Sequence, residues 1–194
     1  MPGPPPMCDR LLQAMRESAA RQYGGERVTE LAHALQCADL ASAAGADDEL
    51  VLACLLHDVG RYAVDQRTVS DTLEVTGPTP GGRRGHHEAG ADLIAPHVPP
   101  RVAWLVRMHA DAKRYLCATE PGYRDRLSPG SQHTLALQGG IMRPDEVAAL
   151  GRHPWLDAAL ALRRWDDRAK FVGQSTRSLE EWVPLLRRHF QSGG

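Results

Sequence analysis

The sequence predicts a single all-α domain. Apolar residues recur at helical spacing in one segment after another, and the breaks between these segments are mostly short and rich in Pro and Gly. No run shows the alternation of β-branched and polar residues that is typical of a half-buried strand. A length of 194 residues with 42% hydrophobic residues is enough for one core. We expect this domain at residues 7–194, after a disordered Pro-rich lead-in at residues 1–6.

The predicted helices follow from the apolar stripes and from the residues that end them. The first runs from residue 7 to about 21, and the second from 28 to a glycine at 45. Asp47 is the predicted N-cap of a third helix, which we expect to end at Gly60. Its run at 50–56 is apolar on all sides, so this helix should be buried. Further helices are predicted at 86–95, 99–118, 131–138, 144–151, 154–170 and 178–190.

Residues 61–85 are the exception to the short breaks. This segment contains Pro78, Pro80 and four glycines, with little periodicity. A loop of this length within one domain is usually a lid or a binding loop, or is disordered. We interpret it as a candidate lid.

Composition argues against two classes of partner. The 23 Lys and Arg residues balance 24 Asp and Glu residues, for a net charge of -1. We therefore expect no nucleic-acid partner. No stretch approaches the roughly 20 apolar residues of a bilayer span, and the first residues lack the apolar core of a secretory signal. We expect no membrane partner and a soluble, cytoplasmic protein, with its four cysteines reduced.

The chemistry-bearing pattern is a set of histidines and aspartates on different predicted helices. The set consists of His33, His57, Asp58, His86, His109 and Asp166. Four imidazoles and two carboxylates are suited to two first-row metal ions, and Asp58 can bridge them through its two oxygens. Any single histidine of this kind is more often a hydrogen-bonded structural residue. Burying the whole set without metal would cost several kcal/mol, so the joint pattern favours a metal site.

The order of these residues resembles the pattern of the HD-domain superfamily. The segment His57-Asp58-Val59-Gly60 follows a buried helix, and a downstream aspartate lies in Arg164-Trp165-Asp166. The additional histidines, His86 and His109, are similar to those of the dinuclear branch. The resemblance implies a helical HD-domain bundle with a dinuclear metal centre.

The same resemblance selects between two neighbouring histidines. The dinuclear pattern resembles His-x-x-x-Gly-Ala, and Gly90-Ala91 stands here four residues after His86. We therefore expect His86 to be the ligand. His87 is interpreted as a surface residue or as a neighbour of the ligands.

Several further segments resemble the mixed-valent di-iron phosphonate oxygenases of this superfamily, and together they cover most of residues 20–170. They are the segments 23–26, 33–38, 46–51, 109–116, 137–140 and 164–170. The resemblance implies two iron ions as Fe(II) and Fe(III), with O2 as co-substrate. It implies oxidation of a 1-hydroxyphosphonate to phosphate and a carboxylic acid.

The substrate that the resemblance implies is a small hydroxyphosphonate. We expect 2-trimethylammonio- or 2-amino-1-hydroxyethylphosphonate, which would give glycine betaine or glycine. A 2-oxoglutarate-dependent phosphonate hydroxylase is implied only as a pathway neighbour that makes the substrate.

Two residues are candidates for binding the phosphonate group. Lys113 lies one helical turn after His109, where its ammonium could pair with the phosphonate, although Arg114 competes for this role. Ser131 begins a predicted helix after Pro129-Gly130, and a helix N-terminus with a hydroxyl is a natural oxyanion site.

Four more residues are candidates near the substrate. Tyr23 and Glu26 resemble a mobile pair of the family, in which the Tyr occupies an iron coordination position before substrate arrives. Gln36 lies three residues beyond His33 and is expected close to the ligands or substrate. Arg61 is a departure, because a member that acts on the 2-amino substrate has His there. An Arg can hold phosphonate, pair with a carboxylate or face solvent, and these alternatives stay open.

Two other functions remain as alternatives. The first is an HD-type metal-dependent phosphohydrolase, which would use metal-bound hydroxide against a phosphate ester. The fold and the ligands alone do not exclude it. The second is a non-catalytic binding module descended from an HD enzyme, for which a missing ligand would be the expected sign. The sequence lacks none of the expected ligands.

Overall fold

The computed structural model describes residues 6–65, 69 and 85–190, and the regular secondary structure of these residues is helical. The predicted all-α fold is therefore confirmed. The α-helices are α1 (Met7–Ser18), α2 (Glu30–Ala43), α3 (Asp48–Leu56), α4 (His86–Ile94), α5 (Pro100–Thr119), α6 (Tyr123–Arg126), α7 (Pro129–Leu137), α8 (Pro144–Leu150), α9 (Leu156–Arg168) and α10 (Leu179–His189). A 3-10 turn, Val59–Arg61, follows α3.

Helix α3 forms the centre of the bundle. It packs against α2, α5, α9 and α10, and every side chain from Leu50 to Leu56 is buried. Each fully buried leucine contributes about 1.5 to 3 kcal/mol of hydrophobic stabilisation relative to an exposed one. The fully apolar run thus holds α3 at a fixed position, with its C-terminal end deep inside the protein.

Side-chain caps fix where α2 and α3 begin. The Asp47 carboxylate accepts a hydrogen bond from the Leu50 amide at 3.0 Å, as the sequence predicted. Thr29 caps α2 by accepting from the Ala32 amide at 3.1 Å. Such caps satisfy amide groups that have no partner within the helix.

The prediction that the third helix continues to Gly60 is wrong. Helix α3 ends at Leu56, and Asp58 leaves the α-helical region with φ -100° and ψ 13°. The chain then continues as the 3-10 turn. His57 and Asp58 therefore lie just beyond the helix, so that helical geometry does not set their relative directions.

Two glycines let this turn approach α4 at backbone distance. A Cβ atom on Gly60 would lie 1.9 Å from the His86 carbonyl oxygen, and one on Gly90 would lie 2.7 Å from the Gly60 nitrogen. No side chain fits at either position without a shift of the backbone. The close packing brings the turn that carries Asp58 next to the start of α4, which carries His86.

Other predicted boundaries differ by a few residues. Helix α1 ends three residues early, at Ser18, and α7 begins at Pro129 with Ser128 as its N-cap. The short α6 was not predicted, because four residues are too few to show a period. Its first residue, Tyr123, is buried in a small apolar cluster.

Two sequence predictions concern segments that lie largely outside the described residues. The candidate lid at 61–85 lies largely outside the described residues, which resume at 85. The predicted lead-in at 1–6 also lies outside them, except for Pro6. Among the helices that are described, none combines the length and the apolar character needed to cross a membrane.

Candidate metal centre and adjoining cavity

The six predicted metal-binding side chains converge at the buried end of α3. They come from α2, from the turn after α3, and from α4, α5 and α9, and none is more than 4% exposed. Two overlapping groups have ligand atoms that all lie within 4.8 Å of one another: His33 with His57 and Asp58, and Asp58 with His86 and His109. The two groups share Asp58.

The first group surrounds one oxygen of Asp58. Oδ2 of Asp58 lies 3.3 Å from Nε2 of His57 and 3.7 Å from Nε2 of His33. Asp166 closes the group from α9, since its Oδ1 lies 3.2 Å from Nε2 of His33. Two imidazoles and two carboxylates thus face one point.

The second group surrounds the other oxygen of Asp58. Oδ1 lies 2.9 Å from Nε2 of His86 and 3.8 Å from Nε2 of His109. The two Nε2 atoms are 3.1 Å apart. The carboxylate of Asp58 therefore lies between two half-sites, as a bridging ligand would.

Backbone carbonyls set the direction of three rings. Nδ1 of His33 lies 2.7 Å from the Ala169 oxygen, Nδ1 of His57 lies 2.8 Å from the Cys54 oxygen, and Nδ1 of His109 lies 2.7 Å from the Val106 oxygen. A proton on Nδ1 satisfies each carbonyl and leaves the lone pair on Nε2. Such outer hydrogen bonds commonly orient metal-binding histidines.

This donor set fits metal ions. Nε2 of His33 and Nε2 of His57 lie 3.1 Å apart, and with both Nδ1 atoms protonated two lone pairs would face each other. Among the described residues, the buried oxygens Oδ2 of Asp58 and Oδ1 of Asp166 accept no well-oriented hydrogen bond. Buried carboxylate oxygens without partners are costly, and a cation among these atoms would satisfy all of them.

The pKa shifts in the cluster also indicate a site that favours positive charge. Burial opposes a charged His57, but the adjacent Asp58 carboxylate raises the pKa of the imidazole to about 10. Burial would raise the pKa of Asp58, yet His57 and His86 hold that pKa well below its usual range. Burial and the neighbouring His86 lower the pKa of His109. The two carboxylates thus favour positive charge among these imidazoles, which a metal ion would supply.

Arg163 is a residue of the candidate site that the sequence analysis missed. Burial opposes ionisation of Asp166, but the Arg163 guanidinium holds the pKa of that carboxyl well below its usual range. Nη1 of Arg163 lies 2.7 Å from Oδ2 of Asp166, and Nη2 pairs with Asp167. The spacing could have indicated these pairs, because Arg163 precedes Asp166 by three residues and Asp167 by four. Residues at these separations share a helix face.

A cavity adjoins the cluster, and one of its walls is cationic and rich in hydroxyls. Lys113 is 1% exposed and donates from Nζ to Oγ1 of Thr134 at 2.8 Å and to the Ser131 carbonyl at 3.3 Å. Nη2 of Arg163 lies 3.5 Å from Oγ of Ser131. These four residues line the cavity together with Asp58, His86 and His109. The wall is suited to an oxyanion that also contacts the metal cluster.

Ser131 does not begin α7, in contrast to the prediction from the sequence. The N-cap of α7 is Ser128, whose Oγ accepts from the Ser131 amide at 3.2 Å. Ser131 lies in the first turn of the helix, so its hydroxyl serves the cavity wall without capping. Nζ of Lys170 lies 3.0 Å from the hydroxyl oxygens of both serines.

Tyr23 and Glu26 also line the cavity. The ring of Tyr23 stacks on His33, with centroids 3.9 Å apart and an angle of 14° between the planes. Oε1 of Glu26 lies 3.1 Å from Nζ of Lys170. Burial would raise the pKa of Glu26, but Ser128 and Lys170 lower it. Sequence reasoning missed Lys170, which lies two residues beyond the end of α9.

Arg61 is buried and pairs with a carboxylate. Its Nε lies 3.5 Å from Oε1 of Glu30, and its guanidinium carbon lies 5.0 Å from the centroid of the Tyr23 ring. Burial raises the pKa of Glu30, although Arg61 and Arg21 oppose this shift. Of the three alternatives, the structure shows the carboxylate pair, and Arg61 also lines the cavity.

Gln36 does not line the cavity. Its amide nitrogen donates to the Phe171 carbonyl at 2.8 Å, and its amide oxygen accepts from the Phe171 amide at 3.0 Å. We therefore reassign Gln36 from substrate contact to support of the segment after α9. That segment also contains the Ala169 carbonyl that orients His33.

The structure also separates His86 from His87 and Lys113 from Arg114. His86 belongs to the cluster, whereas the ring of His87 lies beside it, with centroids 5.7 Å apart. Arg114 points to a different set of acceptors and pairs with Asp111 and Glu146.

Comparisons with known proteins identify the family of this chain. The family model described as HD domain matches residues 31–141. The chain is 37% identical over 169 residues to a protein of Leisingera caerulea named [1-hydroxy-2-(trimethylamino)ethyl]phosphonate dioxygenase (glycine-betaine-forming), covering 86% of this chain and 82% of that protein. It is 36% identical over 172 residues to a hydroxymethylphosphonate dioxygenase of Gimesia maris, covering 89% and 82%.

A third relative is more distant. It is an uncharacterised protein of Acanthamoeba polyphaga mimivirus, 28% identical over 177 residues, which covers 91% of this chain and 78% of the viral protein. The family model covers more than half of the chain, and the two named dioxygenases align with most of it. The chain therefore belongs to the HD-domain family, within the group that includes phosphonate dioxygenases.

Proposed function

We propose that the protein is a di-iron oxygenase that uses O2 to cleave the carbon-phosphorus bond of a 1-hydroxyphosphonate. In the balanced reaction, R-CH(OH)-PO3H2 and O2 give R-COOH and H3PO4. Carbon 1 is oxidised, O2 is reduced, and the carbon-phosphorus bond is replaced by new bonds from carbon and phosphorus to oxygen. The observation that carries the proposal is a pair of half-sites sharing Asp58 beside a cavity with a cationic wall.

The metal assignment rests on the donor types. Imidazole and carboxylate ligands suit iron in oxygen chemistry. Among the described residues, neither group of the cluster contains a cysteine, whose thiolate would favour a different metal. We assign His33, His57 and Asp166 to one iron, His86 and His109 to the other, and Asp58 to both. When bound as Fe(II) and Fe(III), the pair would supply redox chemistry toward O2 and positive charge for the substrate.

The cationic wall of the cavity is the proposed phosphonate site. The Lys113 ammonium and the Arg163 guanidinium approach Ser131 from two sides, and Thr134 adds a hydroxyl. Charge-assisted hydrogen bonds to a phosphonate oxygen are stronger than neutral ones. These groups would orient the substrate so that carbon 1 and its hydroxyl face the metal cluster.

The part of the cavity that Tyr23 and Glu26 line is the proposed site for the rest of the substrate. Tyr23 covers the His33 ring and would exclude water from the cluster. Glu26, held by Lys170, would meet the substituent on carbon 2. Tyr23 and Glu26 are thus the side chains on this side of the cavity to which we assign a direct role in the reaction.

The proposed substrate class follows the relatives. One is named for a trimethylamino compound and one for hydroxymethylphosphonate. We propose 2-trimethylammonio- or 2-amino-1-hydroxyethylphosphonate as substrates, with glycine betaine or glycine as the second product. A 2-oxoglutarate-dependent hydroxylase would be the enzyme that supplies the 1-hydroxyl group.

The test is phosphate release by iron-loaded protein from a panel of compounds. The panel contains 2-trimethylammonio- and 2-amino-1-hydroxyethylphosphonate, hydroxymethylphosphonate, and p-nitrophenyl phosphate as a simple ester, each with and without O2. We expect phosphate from at least one hydroxyphosphonate only when O2 is present. Phosphate from the ester without O2 would instead identify a phosphohydrolase, and no turnover of any compound would favour a binding module.

A further inference from the structure

Arg61 belongs to a buried network to which the proposed function assigns no role. Arg61 is 8% exposed and Glu30 is 3% exposed. One oxygen of Glu30 lies 3.5 Å from Nε of Arg61, and the other lies 3.1 Å from Nε of Arg21. A single buried carboxylate is thus shared by two guanidinium groups. The Arg21 side chain is 43% exposed, so the buried pair is Arg61 with Glu30. Removal of either member of this pair is costly, because the charge of the other stays buried without compensation.

The network joins two segments that meet at the metal-binding cluster. Arg21 and Glu30 are the ends of the loop that contains Tyr23, and the Glu30 amide donates to the Arg21 carbonyl at 2.9 Å. Arg61 follows Asp58 in the 3-10 turn, and its amide donates to the Asp58 carbonyl at 2.8 Å. Nη2 of Arg21 donates to the Arg61 carbonyl at 3.0 Å. The loop is therefore fastened to the turn that carries Asp58.

Tyr23 is the side chain that this network reaches. The guanidinium carbon of Arg61 lies 5.0 Å from the centroid of the Tyr23 ring, within the range of a cation-π interaction. The same ring stacks on His33. The planar guanidinium can contact an aromatic ring and still pair with a carboxylate, which a lysine ammonium does less well. Arg61 thus contacts both the Glu30 carboxylate and the Tyr23 ring.

We propose that Arg61, anchored by Glu30, is a positioning residue that holds the Tyr23 ring against His33 at the wall of the cavity. Its kinetic consequence rests on the proposed function, because it concerns turnover of a hydroxyphosphonate. The position of the Tyr23 ring does not depend on the proposed function, because it can be measured in metal-free protein. A direct contact between Arg61 and the substrate is the competing explanation for its place in the cavity.

The structural test is NMR of metal-free protein with labelled tyrosine. The chain has four tyrosines, and Tyr23→Phe identifies the ring signals of Tyr23. We expect these signals to move toward the values of a free tyrosine in Arg61→Gln and in Glu30→Gln, and to move less in Arg61→Lys. The signals of Tyr115 and Tyr123 should stay in place and show that each variant is folded. Unchanged Tyr23 signals in folded Arg61→Gln would overturn the proposal.

A matched control separates this effect from the loss of any arginine. Arg107 is 37% exposed and pairs with Asp92 at a distance from the network. Arg107→Gln should leave the signals of Tyr23 unchanged. If Arg107→Gln moves them as far as Arg61→Gln does, the effect is not specific to the network and the proposal fails.

The kinetic test is a double-mutant cycle between Arg61→Gln and Tyr23→Ala. If Arg61 acts through Tyr23, Arg61→Gln changes kcat/KM by about fivefold in the wild-type background and by less than about twofold in the Tyr23→Ala background. Equal effects in both backgrounds would show a direct contact of Arg61 with the substrate and would overturn the proposal. If no variant turns over a hydroxyphosphonate, the proposed function fails, and the NMR result still decides the role of Arg61.

Discussion

Oδ1 of Asp58 lies 2.9 Å from Nε2 of His86, although the two residues belong to different segments of the bundle. The contact depends on Gly60 and Gly90, which let the 3-10 turn and α4 approach at backbone distance. It places one carboxylate oxygen in each half-site, since the other oxygen of Asp58 faces His57. Asp58 is accordingly the residue on which a dinuclear site most depends.

Asp58→Asn should abolish binding of both iron ions. The amide is nearly isosteric, but it is neutral and presents an N-H group to one half-site. We expect the iron content to fall from about two ions per chain to none, as measured by a colorimetric iron assay after anaerobic loading. Asp92→Asn, on the surface of α4, is the control and should bind iron normally. Two iron ions bound to Asp58→Asn would show that the bridging assignment is wrong.

Gly60→Ala should weaken the half-site of His86 and His109. The new Cβ would lie 1.9 Å from the His86 carbonyl oxygen, so α4 must move away from the turn. We expect a loss of about 1 to 3 kcal/mol in the free energy of unfolding, together with loss of one iron ion.

Gly173→Ala is the matched control for this variant. Gly173 has φ +73° and open space around its Cα, so alanine there introduces backbone strain without a clash. It should lower stability slightly and leave the iron content unchanged. If Gly60→Ala binds two iron ions with wild-type affinity, close approach of the turn to α4 is not required.

Lys113→Gln should lower kcat/KM for the hydroxyphosphonate by about 10- to 100-fold, because a buried charge-assisted contact to the phosphonate is lost. Steady-state kinetics of phosphate release provide the measurement. Arg114→Gln should have little effect, since Arg114 pairs with Asp111 and Glu146. Equal losses in the two variants would indicate that Lys113 has no specific role.

Asp47→Ala should lower the free energy of unfolding by about 1 kcal/mol, because α3 loses its N-cap. The hydrogen bond from Arg101 and the bond from the Leu50 amide hold the pKa of Asp47 below its usual range. A lowered folded pKa means that this stabilisation is present above the pKa of the unfolded chain, near 3.8, and is lost as the pH falls through the folded value.

Urea unfolding at pH 7 and at pH 3 tests this prediction. The difference in the free energy of unfolding between wild type and Asp47→Ala should be larger at pH 7 than at pH 3. Asp157→Ala is the control, because Asp157 is exposed in the first turn of α9 and caps no amide there. A difference that is independent of pH would exclude a contribution from the ionised carboxylate.

The sequence predicted the parts of the site that repeat a local pattern. The apolar run of α3 and the cap at Asp47 follow from spacing and composition, and the order of the six His and Asp residues follows from their types. These signals are local, so a single sequence contains them. The termination of α3 at Leu56 was missed, because the turn at Asp58 depends on packing against α4.

The cavity wall was harder to predict for the same reason. Arg163 and Lys170 look like ordinary charges on a helix until tertiary contacts bring them to Ser131. Gln36 was expected near the substrate, but the backbone of Phe171 takes both of its amide groups. Arg61 had three open alternatives, and the sequence does not show that Glu30 lies within 3.5 Å of its guanidinium group.

The most direct test of the account is the stoichiometry of O2 consumed to phosphate released by iron-loaded protein. An oxygen electrode and a phosphate assay would follow one reaction mixture containing a hydroxyphosphonate of the panel. The balanced reaction predicts one O2 for each phosphate, with no phosphate under anaerobic conditions and neither signal in Asp58→Asn. Release of phosphate without consumption of O2 would contradict the account.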